Sequence, residues 1–265
     1  MSRLWSLVLL VSWMGVPLGG CGNEYGDDDS GIGAADDDDA SPADDDDDTG
    51  STGDDDDTDP ADDDDAAVDV IPPLNDSSGG SGGTTCPSGC AQNASGVNYQ
   101  LIVPNSYHEA APNTLMIVYS GTEGAATMTQ NMLSLTAYCG IGDTIIAVID
   151  GYVYYGDGAA GASVLDDVRA CYNIDNDRTW LLSESAGTSA GLQLGFHLRQ
   201  SYFAAFWAND VNAADTPGTT AADLGFAPWG NAGPGGDYAD ANTIVSGMAA
   251  AGYHLPADAP YSGSG

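Results

Sequence analysis

Four short apolar runs set the terms on which this chain can fold: Tyr99 to Pro104 (YQLIVP), Thr114 to Tyr119 (TLMIVY), Thr144 to Asp150 (TIIAVID) and Thr179 to Leu182 (TWLL). Each is rich in β-branched or bulky apolar residues, so each reads as a strand buried on both faces. Helical patterns lie between them, over Met128 to Tyr138 and Ser163 to Tyr172, and a longer one, Ala186 to Gln200, follows the fourth run. Strand alternating with helix predicts an α/β fold, a mostly parallel sheet with helices on both faces. Ala204 to Ala208 (AAFWA) adds a further strand and Ala241 to Ala251 a further helix. In such sheets ligands bind beyond the carboxyl ends of the strands, so function belongs in the loops that follow them.

The N-terminal third cannot join that sheet. Of the 265 residues, 40 are Asp or Glu and only 4 are Lys or Arg, giving a formal net charge of -36, and 22 aspartates fall between Asp27 and Asp69. High like charge with almost no apolar surface predicts disorder and self-repulsion, so this stretch reads as an extended acidic spacer. Ser77 to Thr85 (SSGGSGGTT) continues it as a flexible linker, so that residues 21–85 form the tether and residues 86–265 the folded domain. Such a charge balance excludes electrostatic nucleic-acid binding, which needs clustered Lys and Arg. The aspartate runs lack the alternating ligands and turn glycine of a calcium loop, so weak, territorial Ca2+ association is expected there and no specific metal site.

Residues 1–20 read as a targeting segment. Arg3 precedes an apolar run, Leu4 to Leu18, of signal-peptide length. Leu18-Gly19-Gly20-Cys21 then resembles the bacterial lipobox, in which Cys21 receives the lipid, and the absence of Asp after it, at Gly22, fits outer-membrane sorting. The expected location is the periplasmic or cell-surface face of the outer membrane, with the bilayer a partner through acylated Cys21. The other cysteines, Cys86, Cys90, Cys139 and Cys171, are even in number in an exported chain and allow three connectivities. Cys86 with Cys90 and Cys139 with Cys171 is the expected pairing.

After the strand Thr179 to Leu182 comes Ser183-Glu184-Ser185-Ala186-Gly187-Thr188-Ser189-Ala190-Gly191, which leads into a helix. A serine at such a strand-to-helix turn, flanked by small residues, is a nucleophile elbow. Ser189 fits Gly-x-Ser-x-Gly literally, but as nucleophile it would draw Glu184 and several polar residues into the buried strand. Ser185 lets the strand end where its apolar residues end and is the preferred nucleophile.

Tyr99 to Tyr107 (YQLIVPNSY) and Asp177 to Gly187 (DRTWLLSESAG) resemble the opening strand and the elbow of polyhydroxybutyrate depolymerase and feruloyl-esterase-like α/β-hydrolases, with Asp166-Asp167-Val168 and Tyr202-Phe203-Ala204-Ala205 at similar places. The resemblance implies an α/β-hydrolase-like sheet in which Ser185 attacks an ester. It also implies an oxyanion loop, Ser120-Gly121-Thr122-Glu123-Gly124, with Ser120 where the family has histidine, and donation by the amides of Thr122 and Ala186. Asp237 resembles the acid of the triad; Asp210 is the alternative, and Asp240 fits the start of a helix. Among His108, His197 and His254, only His254 follows the acid candidates, as the chain order requires. His254 nevertheless precedes the expected last strand, so it is expected to lie beyond reach of Ser185. The fold is expected to be incomplete at its C-terminus, because the closing helix has no place before Gly265.

The function implied is that of an exported, lipid-anchored serine esterase without a cofactor. Polyester, feruloylated and small esters all remain open as substrates, and Tyr152, Tyr154 and Tyr155 could form an aromatic wall for the acyl or aryl group. The rival reading is a surface lipoprotein that keeps the fold for binding, or a truncated product.

Overall fold

The computed structural model describes residues 78–83, 92–233 and 236–261. Cys21, Cys86, Cys90 and the acidic tether lie outside the described residues.

Among the described residues seven strands form one sheet: β1 (Asn93–Ala94), β2 (Val97–Ile102), β3 (Asn113–Tyr119), β4 (Ile145–Ile149), β5 (Ile174–Glu184), β6 (Ala205–Asn209) and β7 (Trp229–Ala232), in the order β1-β2-β4-β3-β5-β6-β7. Strands β4, β3, β5, β6 and β7 are mutually parallel, and β2 runs antiparallel beside β4. This is the expected α/β architecture, a mostly parallel sheet with helices on both faces.

The chain leaves β3 through α1 (Gly124–Thr136) to β4 on one side, then crosses by α2 (Gly158–Cys171) to β5 on the other. Right-handed crossovers of opposite direction place these two helices on opposite faces. Alternation along the strands agrees: Val118, Ile146 and Val148 pack with Met128 and Met132 of α1, whereas Leu115, Ile117, Ile145 and Ala147 pack with Val164, Leu165 and Val168 of α2. The reversal of direction at β3 opens the crevice between the ends of β3 and β5.

That geometry overturns one expected disulfide. Cys139 follows α1 and Cys171 ends α2, so they lie on opposite faces of the sheet. Cys171 is disulfide-bonded, and Cys139 is not its partner.

The described part of the linker is also built into the fold. Ser81 donates its amide to Ile174 O at 2.7 Å and its hydroxyl to Arg169 O and Tyr172 O at 2.9 Å, while Gly79 O accepts from Asn176 N at 3.1 Å. A Cβ on Gly83 would sit 2.2 Å from Tyr172 O, so glycine there serves close packing. The segment lies along the N-terminal part of β5. Nearby, the buried Asp175 pairs with Arg178 Nε at 2.6 Å, which lets an acidic residue stand inside the strand.

Candidate active site

Strand β5 ends at Glu184, and a single 3-10 turn, Ser185–Gly187, joins it to α3 (Thr188–Gln193). Ser185 has φ of +47°. A non-glycine residue in the left-handed region costs about 1–3 kcal/mol and persists only where its surroundings enforce it. Here the enforcement is backbone contact: a Cβ on Gly187 would lie 2.7 Å from both Ser120 O and Tyr119 Cβ. The turn is thus pressed against the end of β3.

Ser189 lies inside α3, where the next glycine of its motif, Gly191, packs on Ser183 at the end of β5. The Gly-x-Ser-x-Gly spacing from Gly187 to Gly191 therefore marks helix-on-strand packing, and Ser185 occupies the elbow.

Beyond β3, Ser120 is fully buried, and its Oγ accepts the Gly151 amide at 3.2 Å and donates to Gly121 O at 3.2 Å. It ties the Gly121–Gly124 loop to the end of β4. The Gly121 N–H donates to Glu123 Oε1 at 2.9 Å. Thr122 is exposed at this loop, and Ala186 lies in the first helical turn, where N–H groups lack intrahelical acceptors. Asp150, ending β4, accepts from Val153 N at 2.9 Å and Ala125 N at 3.4 Å, and so holds the tyrosine loop to the start of α1.

In the tyrosine loop, Tyr152 and Tyr155 are 68% and 60% exposed. Tyr154 instead packs against the core, and its hydroxyl accepts the Asn98 amide at 3.0 Å. Two rings of the three are thus presented at this edge.

His254 is not brought to Ser185. Asp237 is exposed and is the N-cap of α5 (Tyr238–Ala250), its Oδ1 accepting from Ala239 N at 2.8 Å and Asp240 N at 3.4 Å. Asp240 falls in the first turn of that helix. His254 pairs with Trp229 at the start of β7, its amide donating to Pro228 O at 3.0 Å and its carbonyl accepting from Gly230 N at 3.3 Å. Register carries Trp229 through Ala205 to Trp180, five residues before Ser185. At about 3.3 Å per residue this is about 16 Å along the strands, with further strand spacings across the sheet. His254 therefore stands at the amino edge and Ser185 at the carboxyl edge. His108 is at the amino edge too, in the loop beside Asn113, and His197 pairs with Asp215 Oδ2 at 2.8 Å beyond the far end of α3.

Carboxylates stand at the elbow in place of an imidazole. Glu184 is half-buried beside Glu123 and Asp210 and hydrogen-bonded to Asn209. Burial first, then repulsion from Glu123 and Asp210, push its pKa up to about 7, with the Asn209 bond opposing. Asp210 also has a positive φ, +49°. Sequence reading missed this grouping because the three acids follow different strands; the glutamate immediately before the elbow serine was the available signal. Among the described residues no group of His, Cys, Asp and Glu is arranged to hold a metal ion.

Comparison with family models and with curated proteins finds no match. Among solved structures, the chain is similar to a thermostable esterase, with 15% identity, TM-score 0.46, and coverage of 59% of this chain and 48% of that one. It is also similar to a poly(3-hydroxybutyrate) depolymerase from Bordetella parapertussis, at 14% identity and TM-score 0.46, covering 63% of this chain and 80% of the other. A feruloyl esterase module from Clostridium thermocellum, complexed with sinapinate, gives 13% identity and TM-score 0.42 over 58% of this chain and 68% of the module. The chain spans about half the length of the thermostable esterase.

Proposed function

We propose that this protein is a serine-dependent hydrolase of carboxylic esters, exported and held to the outer membrane through acylated Cys21. The observation that carries the reading is Ser185 itself, a serine at φ +47° on a turn between a buried strand and a helix. A hydroxyl forced into that backbone conformation stands clear of the sheet, within reach of a carbonyl carbon in the crevice. Its attack would form a tetrahedral oxyanion, which the N–H groups of Thr122 and Ala186 would stabilise by a few kcal/mol each. Collapse would leave an acyl-enzyme that water hydrolyses. Exposed Tyr152 and Tyr155 at the same edge support an acyl or aryl group packed on their faces. The reaction needs no cofactor.

A second reading, a binding protein that retains the fold without turnover, is favoured by the placement of His108 and His254 at the opposite edge of the sheet from Ser185 and of His197 beside Asp215. Incubation of the purified chain with a fluorophosphonate, followed by peptide mass spectrometry, separates the two. The esterase reading expects an adduct on Ser185 and none in Ser185→Ala. A folded chain that takes no label would establish the binding reading.

A further inference from the structure

We propose that Glu184 accepts the proton of the Ser185 hydroxyl, and that Glu123 is a positioning residue beside it, so that the site works as a serine–carboxylate pair. The inference rests on the ester-hydrolase reading above and names the base that reading lacks.

On β5 successive side chains point to opposite faces. Ser183 faces α3, where a Cβ on Gly191 would come within 2.5 Å of Ser183 Cβ. Glu184 therefore faces the α1 side. The positive φ of Ser185 turns its side chain toward the same place: Ser185 Cβ is 3.2 Å from where a Cβ on Gly121 would lie, and Glu123 Oε2 is 2.5 Å from that same point. Glu123 is held there by the Gly121 amide on its other oxygen. Ser185 and Glu123 thus meet at the mouth of the crevice, and Glu184, next to the serine in sequence and on the same side, stands close enough to Glu123 for the two to repel.

Chemistry then distinguishes the two glutamates. Glu123 is exposed and its carboxylate is occupied by an amide, whereas Glu184 is half-buried and faces Glu123 from the start of α1 and Asp210 and Asn209 from the end of β6. Among the described residues no cation relieves this repulsion: Arg178 pairs with Asp175, Arg199 with Asp166, and Arg169 donates to Asn176 at 2.8 Å, all away from the elbow. Glu184 therefore holds a proton more firmly than an ordinary carboxylate and titrates where a histidine would, the range suited to a general base at neutral pH.

The proton and electron accounting closes without any further reagent. As the Ser185 Oγ–H bond breaks, its proton passes to the Glu184 carboxylate and Oγ bonds to the ester carbon, the π pair moving to the carbonyl oxygen. On collapse the bond from carbon to the alcohol oxygen breaks, and Glu184 returns the proton to that oxygen. Water then gives a proton to Glu184 and bonds to the acyl carbon. The acyl–Oγ bond breaks, and the proton goes back to Ser185. Ester and water become acid and alcohol.

The test follows the rate of fluorophosphonate labelling of Ser185 in the full chain from pH 5 to 9, by mass spectrometry, for wild type, Glu184→Gln, Glu184→Asp and Glu123→Gln. The expected wild-type rate rises with pH through about 7, where Glu184 ionises, and then levels off. Glu184→Gln is expected to label at least about 100-fold more slowly and to lose this limb, while Glu184→Asp keeps it. Glu123→Gln is expected to move the limb to lower pH, because a like charge has gone; a purely structural role would not shift it. Labelling of Glu184→Gln at the wild-type rate, or a limb unmoved in Glu123→Gln, overturns the inference and leaves the esterase reading standing. No wild-type labelling at any pH, in protein whose circular dichroism is that of a folded chain, overturns both.

Discussion

Replacing Glu184 with glutamine should stabilise this protein at alkaline pH and do nothing at acid pH. The folded structure raises the Glu184 pKa from 4.5 to about 7, through burial first and then repulsion from Glu123 and Asp210. Below about pH 4.5 the group is protonated in both folded and unfolded chains and costs nothing. Between that value and about 7, the unfolded chain releases the proton while the folded chain keeps it, so stability falls as pH rises; above about 7 the loss is complete and constant. At 1.36 kcal/mol for each tenfold change in the ionisation constant, the full effect is about 3 kcal/mol. Because the carboxyl is only partly buried, solvent screening reduces this to about 1–2 kcal/mol. Glutamine removes the penalty while keeping the side-chain shape. For a domain of 150–250 residues, at about 2–4 °C per kcal/mol, Glu184→Gln should melt about 2–8 °C above wild type at pH 8. Melting both proteins at intervals from pH 4 to 9 gives the answer. Two curves that run parallel across that range would refute the reasoning, because the effect must appear between pH 4.5 and 7.

Gly187→Ala should cost about 2 kcal/mol or more, read by urea denaturation, because the new Cβ meets backbone and near-backbone atoms of Tyr119 and Ser120 that cannot rotate away. Arg178→Ala should destabilise by about 3 kcal/mol by the same assay, since it leaves the fully buried Asp175 carboxylate without its guanidinium. His254→Ala should label with fluorophosphonate at the wild-type rate, because the residue stands at the opposite edge of the sheet from Ser185. Peptide mapping without reduction should find Cys171 joined to a cysteine other than Cys139; a Cys139–Cys171 peptide would contradict the placement of α1 and α2 on opposite faces.

The strands that were legible in the sequence are those whose burial is complete. β3 and β4 are covered on both faces and can therefore be written in little but Leu, Ile, Val and Met. β5 begins earlier than its apolar residues, at Ile174-Asp175-Asn176, because Arg178 neutralises Asp175 and Ser81 and Gly79 supply backbone partners. No local pattern announces such help from a distant segment. β7 (Trp229-Gly230-Asn231-Ala232) reads poorly as a strand, since glycine and asparagine weaken strands elsewhere; here Gly230 makes room for Met248 of α5. The elbow was readable because an apolar run stops abruptly at small residues. The separation of His254 from the elbow was readable from chain order, because the few histidines could be placed one by one. Its carboxylate surroundings were not: Glu123, Glu184 and Asp210 become neighbours only once β3, β5 and β6 lie side by side with their ends in register.

The seating of Ser78–Gly83 along the beginning of β5 fixes where any pull from the N-terminal side enters the domain. Ser185 stands at the other end of that same strand; β5 bulges after Ile174, and by its register with Asn113 to Tyr119 of β3, at about 3.3 Å per residue, the two ends lie about 20 Å apart. A pull entering there would load β5 at the end remote from Ser185.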